Sequence, residues 1–332
     1  QMAVLLITFT TYLNLVPALL QCTKLISYVW KGGKRVLLSS AFNEFILQKQ
    51  LAGLSAATIH DYKNIIGIFV AHIGSTTELD TLAYDDVATF ILDLYKRLLS
   101  KATVSTYIRN IRIFLRWYYS EYGMLFNPIK IKVPKTPKKV VHIYSDTELQ
   151  CIFSALETSL PWITARNRAM IALMFDSGLR QSEVCTLLSS GIDRKRMILQ
   201  VTGKGAKERL VPVGKLALSF LDEYLSMCPY TNSQYVFLDR LGKPVSTNAV
   251  KVFVNRLRHK LPFELTSHKL RHNFATNYCL DNIKATGNSN VYDLSILMGH
   301  ESIETTKRYE HFAHEIIAIE NRSSHLDKIY GM

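Results

Sequence analysis

Between Asn127 and Lys139 the chain reads Asn-Pro-Ile-Lys-Ile-Lys-Val-Pro-Lys-Thr-Pro-Lys-Lys, with three prolines, five lysines and no acid. No regular element can run through such a stretch, because each proline fixes φ and removes a backbone donor. Proline-rich chain is extended, so the segments on either side must close their cores separately. The sequence therefore predicts two domains joined by a basic linker over residues 128–142, and 332 residues suit that number. The linker lysines, Lys138 and Lys139 among them, suit a chain lying across a phosphate backbone.

Residues 36–127 read as all helix. Phe42, Phe45, Ile46 and Lys49 open an amphipathic stretch. Ser55 is placed to cap a second helix carrying Ile59, Tyr62, Ile66 and Phe69, which Gly74 ends. A third segment covers Tyr84 to Leu98. The fourth runs from about Ala102 to Tyr119, with Val104, Ile108, Ile111, Leu115 and Tyr118 at helical spacing on the face toward a core. Arg109, Arg112 and Arg116 fall on a different face. They are either a row of phosphate or base contacts along a groove or a solvated surface.

Residues 143–332 form the second domain. Ser145 and Glu148 have capping-box spacing. A helix over 166–177 is followed by Gly178-Leu-Arg-Gln-Ser-Glu183. Arg196 to Thr202 and Glu208 to Val213 read as two strands of a hairpin turned by Gly203-Lys-Gly-Ala-Lys207. Helices dominate again from Leu216. The expected class is mainly α with a small antiparallel β-sheet.

Composition narrows the partners. Forty lysines and arginines against 27 acids give +13 at pH 7, which favours a polyanion such as DNA, RNA or an acidic membrane surface, or serves plain solubility. Apolar residues at 48% exclude global disorder. The five cysteines are odd in number and make no CxxC pair, so neither a disulfide framework nor a zinc knuckle is expected and a reducing cytoplasm fits. Residues 1–35 read as a leader of uncertain role. Ala3 to Leu20 is largely apolar, but threonines, Asn14 and Pro17 interrupt it and no basic residue precedes Lys24. It is marginal beside the roughly 20 apolar residues of a membrane span and lacks the charged start of a signal peptide. No membrane partner is expected.

Four segments of the second domain are polar where their neighbours are apolar. They are Gly178 to Glu183, Thr202 to Arg209, His268-Lys-Leu-Arg-His272, and Met298-Gly-His-Glu-Ser302 with Tyr309 beyond. Singly each is ordinary: a helix-start arginine, a glycine turn, one of 17 tyrosines. His268 and His272 are spaced i, i+4 as metal ligands can be, but Lys269 stands where a zinc protease needs glutamate, and a lysine and an arginine between the ligands repel a cation. No metal and no other cofactor is expected.

Taken in order, these segments resemble the tyrosine recombinase family, which includes the Xer proteins and phage integrases. The family pattern of arginine, hairpin lysine, His-x-x-Arg, histidine and tyrosine is met by Arg180, Lys204, His268, Arg271, His300 and Tyr309. Nine positions separate the last two. The resemblance runs from about residue 40 to the end. It implies a two-domain clamp on duplex DNA, a helical core-binding domain plus an integrase-like catalytic domain. It further implies a homo-tetramer on two specific sites, strand exchange through a Holliday junction, and a cytoplasmic, nucleoid-associated protein that leaves room for accessory proteins. Integration, excision or transposition of a mobile element, or multimer resolution, are the roles implied.

The residue types suit that chemistry. Two arginines hold phosphate oxygens with bidentate, permanently charged donors, and His300 adds another. Tyr309 supplies the nucleophilic oxygen and becomes the 3′-phosphotyrosyl link. Lys204 can protonate the departing 5′ oxygen. His268 either accepts the tyrosine proton or holds the phosphate. The covalent bond stores the phosphodiester energy, so no nucleotide is required. A type IB topoisomerase shares this chemistry but needs one subunit rather than several. A DNA-binding architectural protein would not need the six residues intact.

Two further expectations concern length. Asp281 to Val291 is longer than in a minimal Xer-like protein and should form a surface loop. Residues 1–35 look too short and too apolar for the arm-site domain of larger phage integrases. Beyond Tyr309, Phe312, Ile316 and Ile319 form an apolar stripe that packs either on its own domain or on a neighbouring subunit.

Overall fold

The computed structural model describes residues 36–79, 81–123, 126–135, 142–322 and 325–330. The leader 1–35 and the lysines Lys138 and Lys139 lie outside the described residues. The chain divides into two compact units between Lys138 and Lys139.

The first unit is helical: α1 (Leu38–Leu51), α2 (Ala56–Ile73), α3 (Tyr84–Lys96) and α4 (Lys101–Glu121), followed by a 3-10 turn at Pro128–Lys130. Ser55 and Ser100 each accept the backbone N–H three residues on, capping α2 and α4. Gly74, at φ +105°, ends α2 in a region where a side chain would be strained. The fourth helix buries Val104, Ile108, Ile111, Leu115 and Tyr118 as its periodicity predicts. The same core holds aromatic pairs. Phe45 meets Phe114 edge-on at 5.4 Å and Phe69 meets Phe90 at 5.3 Å, contacts that add about 1 kcal/mol each beyond simple burial. Trp117 Nε1 donates to Gln48 Oε1 at 2.7 Å, so a buried indole keeps its hydrogen bond.

The second unit contains α5 (Asp146–Ser154), α6 (Pro161–Asp176), α7 (Gln181–Thr186), β1 (Ile192–Asp193), β2 (Ile198–Thr202), β3 (Glu208–Pro212), α8 (Lys215–Met227), α9 (Thr247–Arg258), α10 (Ser267–Thr286), α11 (Val291–Met298), α12 (Glu304–Glu320) and α13 (His325–Tyr330). Ser145 and Glu148 cap α5 reciprocally. Helix α6, most of whose residues are buried, is the axis against which α8 and α10 pack. The sheet is antiparallel in the order β1-β2-β3, with Val201 opposite Arg209. Leu199 and Val201 face the core while Gln200 and Thr202 face water.

Asp281 to Val291 is not the surface loop its length suggested. Helix α10 continues through Thr286, since nothing before Gly287 breaks it, and Gly287 closes it in the left-handed region. The remaining loop is short, and it buries Ser289, whose hydroxyl donates to Glu310 of α12. Phe312 and Ile316 pack on a satellite core built from α10, α11 and α12, whereas Ile319 is exposed. Among the described residues no helix is long and apolar enough to cross a membrane.

Candidate active site

The chain reverses sharply after α6. Gly178, at φ +61°, packs so tightly on the Phe274 ring that a Cβ would overlap it. This turn buries Leu179 and brings Arg180 out as the residue preceding α7. Three residues on, Glu183 points back. Its carboxylate, 1% exposed, accepts the Arg180 backbone N–H and Arg180 Nη1, both at 2.7 Å. From β3, Arg209 adds a two-pronged contact, Nη1 and Nη2 donating to the two carboxylate oxygens at 2.6 and 2.8 Å. Arg271 of α10 lies 3.7 Å from the same carboxylate. Burial pushes the Glu183 carboxyl up, but the Arg209 fork and the Arg180 donors outweigh it and hold it at about 2.

The same three arginines share a second anchor. Helix α11 ends at Gly299, and its last carbonyls have no partner within the helix. Arg209 Nε donates to Leu297 O at 2.6 Å, Arg271 Nη2 to Met298 O, and Arg180 Nη2 to Gly299 O at 2.9 Å. Three successive carbonyls at the negative end of a helix thus each receive a different guanidinium. Arg271 also donates to Gly178 O. Burial lowers Arg271 to about 9, with Arg180 contributing, so it stays charged at neutral pH. One carboxylate against three guanidiniums leaves a surplus of positive charge, fixed in place by groups that cannot themselves leave.

His300 follows directly from this helix end. Its Nδ1 is 2.7 Å from Thr306 Oγ1, and its ring lies nearly parallel to Tyr309, at 6.3 Å. Burial, then Arg271 and Arg180, push it down to about 4, so it is neutral near pH 7. Tyr309 is 1% exposed and belongs to the satellite core. Its Oη is 2.6 Å from His272 Nδ1 and 2.8 Å from Arg308 Nη2, and the Arg308 guanidinium lies 4.8 Å above its ring. His268 is exposed and meets His272 edge to face at 4.2 Å. Desolvation, followed by Arg308, Arg271 and Arg180, lowers His268 as well.

Arg180, Arg271, His300 and Tyr309 therefore converge, with His268 at the margin. Lys204 opens the short turn Lys204–Ala206 between β2 and β3; its side chain lies outside the described set. Arg109, Arg112 and Arg116 sit on α4 in the other unit, the first and last exposed and the middle one half-buried. Among the described residues no group of three or more His, Cys, Asp and Glu is arranged to hold a metal. Glu183, Arg209 and Arg308 were not among the residues the sequence singled out for the site, and His272 stood there only as half of a metal-like pair. Glu183 carried a signal, since its spacing of three from Arg180 is that of a reciprocal helix start. Arg209, from another element, carried none.

Two family models match the chain: the phage integrase family over residues 144–315, and the phage integrase N-terminal SAM-like domain over residues 42–123. A tyrosine recombinase XerC of Xylella fastidiosa (strain M23) is 31% identical over 264 residues, 78% of this chain and 87% of that protein. A tyrosine recombinase XerD of Listeria innocua serovar 6a is 29% identical over 271 residues, covering 78% and 89%. Among solved structures, a Tn1549 transposon integrase in complex with transposon right end DNA superposes with TM-score 0.69 at 16% identity, covering 87% of this chain and all of that one. A lambda integrase dimer bound to a COC′ core site gives 0.67 at 18% identity, covering 83% and 95%. The chain belongs to the tyrosine recombinase (phage integrase) family, enzymes of site-specific recombination that cleave and rejoin DNA.

Proposed function

We propose that this enzyme cuts duplex DNA at specific sites by attack of Tyr309 on a backbone phosphate, leaving a 3′-phosphotyrosyl link, and exchanges strands through a Holliday junction. The reading is supported chiefly by the convergence of Arg180, Arg271 and His300 beside Tyr309. Attack on phosphorus increases the charge on its oxygens, and guanidiniums already locked by Glu183 and the α11 carbonyls meet that charge without reorganising. In the tautomer whose Nδ1 accepts from the Thr306 hydroxyl, neutral His300 offers Nε2–H to the same oxygens. Lys204, in the β2–β3 turn, protonates the departing 5′ oxygen.

In this reading residues 36–127 are a core-binding domain whose Arg109, Arg112 and Arg116 contact DNA, and the basic linker 128–142, with Lys138 and Lys139, crosses the backbone. Residues 143–332 are catalytic. The lambda integrase structure is a dimer on DNA and the Tn1549 integrase is a DNA complex, which supports duplex DNA and further copies of this chain as partners, four copies on two sites in the exchanging assembly. A cytoplasmic protein that moves a mobile element or resolves multimers fits the transposon integrase and Xer likenesses alike.

The test is capture of the protein on a pool of nicked duplexes with a randomised core. Wild type should form a denaturant-stable adduct whose modified peptide contains Tyr309, and Tyr309→Phe should form none. An adduct on Tyr292 or Tyr330, or one that survives in the phenylalanine variant, would reject Tyr309. For Lys204, alanine should cleave ordinary DNA poorly and a 5′-bridging phosphorothiolate nearly normally, because a thiolate leaves without a proton.

A further inference from the structure

The group that touches the phenol is none of the six residues of the family pattern. An arginine is a donor only. Arg308 Nη2 lies 2.8 Å from Tyr309 Oη and 3.3 Å from His272 Nδ1, so it faces lone pairs on both atoms. Tyr309 Oη thus accepts from Arg308, and its own hydrogen points along the 2.6 Å contact to His272 Nδ1. The imidazole is then the tautomer with its proton on Nε2 and a free pair on Nδ1. His268 has no hydrogen bond to Tyr309 among the described residues.

We propose that His272 is the catalytic group that takes the Tyr309 proton during attack, while Arg308 holds the charge that develops on the phenol oxygen. The proposal rests on the reading of Tyr309 as nucleophile. The Oη–H bond breaks and a bond from hydrogen to Nδ1 forms. Oη bonds to phosphorus, the bond from phosphorus to the 5′ oxygen breaks, and that oxygen takes a proton from the general acid. Rejoining reverses each step, and the imidazolium returns its proton to the departing phenol.

The surroundings fit a base that is empty at rest. His268 and Arg271 on α10, Arg308 and Tyr309 on α12, and His300 before α12 all face His272. Burial, then His268, Arg308, Arg271 and His300, push His272 down to about 3, so Nδ1 is unprotonated throughout any ordinary assay. Basicity is needed only once a phosphate arrives, and the negative charge of that phosphate favours the imidazolium. Acceptor and phosphate clamp are neighbours on one helix: Arg271 turns to the α11 carbonyls, and His272 turns to the phenol.

His272→Asn tests this, because asparagine keeps an acceptor oxygen near the Nδ1 position but takes up no proton. Adduct formation is followed on the nicked-duplex pool from pH 6 to 9.5. At pH 7 the variant should lose about 10²-fold or more, the usual contribution of acid–base catalysis. Its rate should then climb about tenfold per pH unit, because hydroxide must take the phenol proton in place of the imidazole, while wild type stays nearly flat. An equal loss at every pH would assign His272 a structural role, and a faster variant would make the contact a restraint. Either overturns the proposal. No wild-type adduct would reject the Tyr309 reading itself, and this inference with it. Should the variant fail to fold, nitrogen NMR of wild type and Tyr309→Phe decides: Nδ1 should be unprotonated and shift when the phenol is lost, and a protonated Nδ1 would overturn the assignment.

Discussion

Two arginine triads, one in each unit, share a residue type and little else. Arg180, Arg209 and Arg271 come from separate elements, converge on one buried carboxylate and cap three carbonyls of one helix. Arg109, Arg112 and Arg116 come from one helix, and no ion pair involving them occurs among the described residues. Fixing a guanidinium beforehand lets it act on a reacting phosphate without further ordering. Leaving it free lets it adapt to a backbone whose position varies with sequence. The first set should therefore carry stability as well as chemistry, and the second should carry binding with little stability.

The sharpest way to break that contrast is to remove the carboxylate. Glu183→Gln leaves three guanidiniums facing a neutral amide, and breaking a buried pair costs about 3–5 kcal/mol. Urea unfolding should show that loss, and a variant as stable as wild type would mean that the carbonyls alone hold the arginines. The pH dependence has a definite sign. Glu183 is lowered from 4.5 to about 2 on folding, so its contribution is complete above about 4.5 and is lost as pH falls through 2.

The histidines near Tyr309 give the next effect, of the same sign as that of Glu183 but in a higher pH window. His272 and His300 sit at about 3 and 4 in the folded unit against 6.5 otherwise. The unfolded chain takes up their protons first, so stability is complete above about 6.5 and declines as the solution is acidified toward 4. The ceiling is about 1.4 kcal/mol per pH unit per histidine. The protection factors of the α10 peptide against hydrogen exchange, corrected for the intrinsic rate at each pH, should fall progressively from pH 7 to 6 to 5. Unchanged protection would place both imidazoles in a water-like setting.

How far this was legible in sequence follows from where each contact comes from. The α4 core face was readable because Val104, Ile108, Ile111, Leu115 and Tyr118 report one local period. The β2–β3 hairpin was readable because its turn chemistry is local too. The family pattern singled out Arg180, Arg271, His300 and Tyr309, which the fold brings near one another. It did not reveal that Arg209 shares their carboxylate, since that needs the register of β3 against α7. Nor did it indicate that the phenol faces His272 rather than His268: both are on α10, and only the placement of α12 chooses. Asp281 to Val291 misleads because added length suggests a loop, whereas no breaker precedes Gly287 and the helix runs on. Its Ser289–Glu310 contact joins the loop to the helix of Tyr309. Ser289→Ala should cost about 1 kcal/mol for the lost hydrogen bond to a half-buried carboxylate and slow adduct formation more than it weakens DNA binding. An equal effect on both would deny the loop any part in positioning α12.

The smallest expected effect on stability, and the most telling for the contrast, belongs to the α4 row. Arg109 and Arg116 are exposed, so alanine at either should change stability by no more than about 0.5 kcal/mol. Arg112 is half-buried and its Nε has no partner among the described residues. Removing it forfeits packing of the aliphatic stem but also removes an unsatisfied donor, and the two changes oppose. If the row contacts phosphates, each lost contact should flatten the dependence of log affinity on log salt by about 0.9. Titration of duplex DNA from 50 to 200 mM salt with the single variants and the triple variant measures this directly. Near-native stability with a slope reduced stepwise would establish the row as open phosphate donors. A stability loss above about 1 kcal/mol with an unchanged slope would put these arginines in the same structural role as the triad around Glu183.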